Sequence, residues 1–338
     1  MAPIEAGARI LLGLLPVFSF LVVLILLDGY KLVRPQQVVY LIAAGALAAG
    51  ASLWINGAIL DHSDVDAKLL VRYIAPAIEE LLKGAVIVYL LVKRRIGFLV
   101  DAAIFGFAVG AGFALVENPS YFVIIGDRSL ALWVVRGFGT ALMHGGMTAI
   151  LAMVAKVLTD RHGGFHLWIF LPGWLIAWSL HSLFNHFFFS PYVSTVLILV
   201  VLPAFFLVVF HFSENHTRDW LGVGFDTDSE LLELIGEGRI SESRIGAYLE
   251  ELRERFPPTT VADMLCLVRL RAELSIRAKG VLLAREAGFN LPPDPEIDDR
   301  LTELDYLEHA IGPTGLLALH PVINMSDRDL WQINALAR

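Results

Sequence analysis

At 338 residues and 37.3 kDa, with 56% hydrophobic residues, 18% charged residues and a mean hydropathy of +0.65, the chain is too apolar for a string of soluble domains. Its net charge of -8 is unevenly placed: residues 1–212 carry 13 Lys+Arg and 11 Asp+Glu, whereas residues 213–338 carry 13 and 23. The acidic balance excludes a basic nucleic-acid surface, and the lone cysteine, Cys266, excludes a disulfide scaffold.

In chain order, apolar stretches of the roughly 20 residues needed to cross a bilayer fall at 9–27, 38–60, 72–92, 98–117, 131–158, 166–189 and 193–212. The expectation is an all-α polytopic bundle of about seven spans. The first stretch reads as a retained anchor, because only Arg9 precedes it and Lys31 and Arg34 follow without a small-residue cleavage site. Lys93, Arg94 and Arg95 set the orientation, since short cytoplasmic loops collect basic residues. With that loop inside, Lys31, Arg34, Lys156 and Arg161 are also inside. The loop with Asp61, His62, Asp64 and Asp66 is outside, as is the amino terminus, and Arg128 and Arg136 fall on the outer side against the trend. His62 reads as part of a solvated loop. Gly106, Gly110 and Gly112 give the fourth span a small-residue packing face, and Tyr30, Trp133 and Tyr192 read as interfacial anchors.

Residues 213–338 read as an acidic, helical, cytoplasmic domain beside a membrane domain at 1–212. Thr227 with Glu230 and Thr260 with Asp263 have capping-box spacing. Breaks are expected at Pro257-Pro258, Gly288, Pro292-Pro293 and Gly312-Pro313. Cys266, inside an apolar helical run, reads as a small core residue.

Ionisable groups inside spans are costly unless paired or wetted, so each is a functional hypothesis. Glu79, Glu80, Lys83, Glu117, His144, His181 and Asn185 form that set. With the orientation above, Glu79 and Glu80 lie roughly 11 Å below the outer end of the third span at 1.5 Å per residue. Glu117, His144 and His181 fall at comparable depths on three other spans. Positions four apart share a helix face, which aligns Glu79 with Lys83 and His181 with Asn185.

These residues carry a resemblance. Pro76-Ala77-Ile78-Glu79-Glu80-Leu81-Leu82-Lys83 is similar to the EExxK motif of the PrsW-type intramembrane proteases, relatives of the CAAX prenyl proteases and the Abi group. Phe113 to Asn118 resembles that family's FxxxEN element, His181 to Asn185 its HxxxN element, and His144 its isolated histidine. The likeness covers about residues 70–190. CAAX proteases carry EExxxR and FxxxH where this chain has Lys and Glu, so the PrsW branch fits better.

The resemblance implies an intramembrane endopeptidase that cleaves a membrane-tethered protein, and the shared depth of these residues puts the cut at or near the outer leaflet of a bacterial-type plasma membrane. A carboxylate of the Glu79-Glu80 pair would serve as general base near Lys83. His181 and Asn185 would donate to the oxyanion, and Glu117 and His144 would orient these groups or bind metal. Two versions stay open: a Zn2+ site drawn from Glu79, Glu80, Glu117, His144 and His181, with Glu80, Glu117, His144 and His181 the preferred ligands, or a metal-free glutamate mechanism. The alternative from another class is a proton- or cation-coupled carrier that uses the same acids and histidines.

Overall fold

The computed structural model describes residues 3–125, 130–289, 291–292 and 294–321; Arg128 lies outside them. Among the described residues there are helices and no strands. The chain divides into two compact units, Met1–Ser213 and Glu214–Arg338.

The first unit contains α1 (Pro3–Leu26), α2 (Pro35–His62) and the short α3 (Ala67–Leu69), which continues through a π-helical segment, Leu70–Ile74, into α4 (Ala75–Val92). Next come α5 (Leu99–Ile125) and α6 (Leu130–Val135), the latter continuing through a second π-helical segment, Arg136–Ala141, into α7 (Leu142–Arg161). A 3-10 turn at Leu167–Ile169 leads to α8 (Phe170–Asn185), and α9 (Pro191–Gly236) contains the boundary between the units.

Among the described residues, five helical stretches are long and apolar enough to cross a membrane: Pro35–His62, Leu99–Tyr121, Leu130–Arg161, Leu167–Asn185 and Pro191–Gly236. Leu11–Leu26 is apolar but shorter. The expected span at 72–92 is not among the five, because α4 carries Glu79, Glu80 and Lys83.

Local chemistry fixes the helix starts. Pro35 opens α2 where its missing N–H costs nothing. The Asp66 carboxylate accepts the Lys68 and Leu69 N–H groups at 3.0 and 3.1 Å, so this loop residue is a helix cap. Asp101 Oδ2 accepts from Gly97 and Phe98 N–H at the start of α5. Helix α5 is the centre of the unit, with every residue from Asp101 to Ala114 buried.

Its glycines explain how neighbours come so close. A Cβ on Gly106 would lie 2.6 Å from Ala149 Cα, one on Gly110 2.3 Å from His144 O, and one on Gly112 2.0 Å from Ile42 O. The small residues therefore admit α7 on one side and α2 on the other. Tyr192 is 62% exposed, as an anchor should be, but Tyr30 and Trp133 are buried. Trp133 packs where Gly13 has no side chain, so apolar contact, not an interface, takes up its ring.

The second unit packs α10 (Arg244–Leu252), α11 (Pro258–Glu286) and α12 (Ile297–Leu319) around Leu252, Met264, Leu267, Leu274 and Ile311. Two expected helix starts are corrected. Thr227 lies within α9 and its hydroxyl donates to Val223 O at 2.9 Å, because the helix runs on and leaves no free amides there to cap. Thr260 lies inside α11, which Pro258 begins without a side-chain cap. Cys266 is exposed, not core: burial at Met264, Leu267 and Val268 turns its face outward. The breaks at Gly288 and Gly312 occur with φ of 84° and 72°, a left-handed backbone that glycine adopts without strain.

Candidate active site

Four helices supply the site, each near the same end of the unit. Glu79, Glu80 and Lys83 lie in the first half of α4, His144 in the first turn of α7, Glu117 in the second half of α5 and His181 one turn from the end of α8. Gly110 lets the backbone at His144 approach α5, which brings the histidine towards Glu117 two turns further along that helix.

Glu80 and Lys83 are wholly buried, and Lys83 Nζ donates to Glu80 Oε1 at 2.6 Å. The four-residue spacing puts Glu79 on the face of Lys83, but of the two glutamates it is Glu80, at i,i+3, that makes the pair. Glu80 Oε1 also lies 2.8 Å from His181 Nδ1. Lys83 Nζ lies 3.3 Å from His144 Nδ1, and His144 Nε2 meets Glu117 Oε2. The two imidazoles are edge to face with centroids 4.9 Å apart. Glu79 Oε2 lies 3.7 Å from His181 Nε2.

This pattern assigns the tautomers. A carboxylate only accepts, so His181 carries its proton on Nδ1 towards Glu80, while His144 Nε2 lies against Glu117 Oε2. The lysine only donates, in agreement with a lone pair on His144 Nδ1. Each histidine thus has a carboxylate behind it, the arrangement that orients metal-binding imidazoles.

Glu79, His144 and His181 each offer a ligand atom, all within 4.8 Å of one another. The donor set fits a divalent ion provided that Lys83 turns away from His144 Nδ1, whose lone pair it otherwise takes. Three carboxylates face two fixed cations, Lys83 and Arg136, so charge favours a further cation, and Glu80 Oε2 is buried with no hydrogen-bond partner. Glu80 and Glu117, expected among the ligands, lie against His181 and His144. In this arrangement the His144 lone pair receives Lys83.

Asn185 is not brought into this cluster. In the π segment the Ala75 N–H bonds to Leu70 O five residues back, and the next such donor would be Pro76, which has none. Asn185 Nδ2 fills the place, donating to Val71 O at 3.0 Å. Trp178 and Trp174, above it on α8, donate to Tyr73 O and Ala77 O at 2.9 and 3.1 Å. His186 bonds to Tyr73 Oη at 2.9 Å, away from the cluster, as its place on the helix implied. His62 is exposed and bonds to Ala58 O.

Arg136 is the residue that the motifs missed. It is 9% exposed, its Nε donates to Asn118 Oδ1 at 3.1 Å and its Nη2 to Glu117 Oε1 at 3.3 Å. The available signal was an arginine inside an apolar stretch.

A family model described as PrsW family intramembrane metalloprotease matches residues 34–210, just over half of the chain, and includes every residue of the cluster. No curated protein and no solved structure matches the chain.

Proposed function

The chain belongs to the PrsW family of intramembrane metalloproteases, and on that premise we propose that it cleaves a membrane-tethered protein near the outer leaflet, with zinc held by Glu79, His144 and His181. The observation that carries the reading is the approach of those three donors to within 4.8 Å, with a carboxylate behind each histidine. Two histidines and a glutamate suit a catalytic zinc, which when bound supplies a water of lowered pKa and polarises the scissile carbonyl.

In this reading Glu79 is a ligand and Glu80 is the general base, taking a proton from the attacking water on Oε2 while Lys83 and His181 hold Oε1. Glu117 positions His144. Glu79 and Glu117 keep 13% and 12% of their side-chain exposure while Glu80 and Lys83 keep none, so the mouth of the site lies on the Glu79 and Glu117 side. The positions of Lys93, Arg94 and Arg95 orient that mouth outward and the acidic tail to the cytoplasm. A substrate strand must give up its helical hydrogen bonds to be cut, which is costly in hydrocarbon and cheap near water, so the bond lies in a juxtamembrane stretch. The carrier alternative draws no support from the family.

The purified protein should hold stoichiometric zinc. Glu79→Gln should lose metal and activity together, whereas Glu80→Gln should keep the metal and lose about 10²–10⁴-fold in rate. Full activity after metal removal would sink the zinc assignment, and near wild-type cleavage by Glu80→Gln would sink the base. Product ends mapped by mass spectrometry to the cytoplasmic side of the substrate would refute the orientation.

A further inference from the structure

Arg136 carries a charge inside an apolar helical stretch where an ionised side chain is expensive, yet it lies outside every motif that identifies the site. Its surroundings are specific. The guanidinium stacks on the Tyr121 ring at 3.7 Å from the centroid, Nε donates to Asn118 Oδ1, and Nη2 donates to Glu117 Oε1. Asn118 is fixed in turn, since its Nδ2 donates to Gly13 O at 2.9 Å and lies 3.4 Å from the carbonyl of Arg136 itself. The arginine also opens the π-helical segment Arg136–Ala141, which leads directly into α7 and His144. A π turn inside a helix re-aims the side chains around it and recurs at functional sites.

The division of labour on Glu117 is the central point. Oε1 is taken by Arg136, and Oε2 is left to meet His144 Nε2. A planar, forked cation that grips Asn118 and Glu117 together fixes the carboxylate plane, which a single ammonium would not do.

We propose that Arg136 is a positioning residue of the proteolytic site, holding Glu117 so that its second oxygen sets the ring of His144. Tyr121 and Asn118 serve the same end by fixing the guanidinium. The inference rests on the zinc reading above for one of its measurements and on geometry alone for the other.

The test is a double cycle on the full-length protein in detergent, comparing Arg136→Gln, Glu117→Gln, the double variant and Arg136→Lys. Zinc affinity is read by competition with a chelator, kcat and KM with a membrane-tethered reporter, and folding by thermal melting. Arg136→Gln should lose about 10–100-fold in zinc affinity, the loss typical of groups that orient a metal-binding histidine. Glu117→Gln should lose a similar factor, the double variant no more than either, and Arg136→Lys, which still donates to Glu117, should recover part.

Zinc affinity within twofold of wild type in a folded Arg136→Gln, or losses that multiply in the double variant, would overturn the proposal, as would a fall in melting temperature alone. If Arg136→Gln does not fold, Arg136→Lys against Glu117→Gln decides by the same criterion. A wild-type chain that takes up no zinc refutes the metal reading and not this one, which the cycle in kcat then decides: coupled losses support it and multiplying losses overturn it.

Discussion

Glu79 and Glu80 are neighbours in sequence, yet a step of about 100° around the helix gives them different partners. Glu80 turns inward to Lys83 and His181, and Glu79 towards the more exposed side of the cluster. Asn185 shows the same dependence on direction. One turn beyond His181 it reads as a second oxyanion donor, but its amide completes the backbone that Pro76 leaves open. The two roles predict different numbers. Loss of an oxyanion donor typically costs about 10²–10³-fold in kcat, whereas loss of one hydrogen bond to a backbone carbonyl costs about 1 kcal/mol of stability. Asn185→Ala should therefore melt lower while keeping its zinc and kcat within about tenfold. A kcat loss of a hundredfold at unchanged melting temperature would return Asn185 to the chemistry.

At the scale of helices, the site depends on how closely α5 approaches α7. Gly110 faces the His144 carbonyl and Gly145 Cα, at 2.3 and 2.7 Å from where a Cβ would sit, and backbone atoms cannot move aside as a flexible side chain can. Gly110→Ala should cost about 1–3 kcal/mol by overpacking and should weaken zinc binding, because the displaced helix carries His144. Gly57→Ala in α2, with nothing within 4 Å of the added carbon, is the control and should be neutral or gain up to about 1 kcal/mol. Equal melting and metal affinity in the two variants would show that the α5 to α7 contact does not set the site. Two π-helical segments, Leu70–Ile74 and Arg136–Ala141, stand just before the helices that carry Glu79, Glu80 and His144. Neither is visible as a pattern of residue types, since a π turn differs from an α turn by one hydrogen-bond register.

For the whole molecule, two units with separate cores divide at Ser213 and Glu214, and the second carries most of the acidic charge. If the tail is cytoplasmic, protease added to sealed inside-out vesicles should clip it and intact cells should protect it. The reverse pattern would invert the orientation and move the expected cut to the other face. By itself the sequence determined that the chain is a helical membrane protein, that ionisable residues recur within several of its apolar stretches, and which family it resembles. The first two follow from local quantities, hydropathy, helical period and spacing within one helix, and the third from short motifs each contained in one helix. Only the tertiary structure decided that Glu80 and not Glu79 pairs with Lys83, that Glu79 joins the two histidines, that Glu117 and Glu80 each lie against a ring, and that Arg136 belongs with them. Those pairings span up to 101 residues of sequence between Glu80 and His181. They depend on helix rotation and on how closely glycine lets backbones approach, and neither is a property of any one segment.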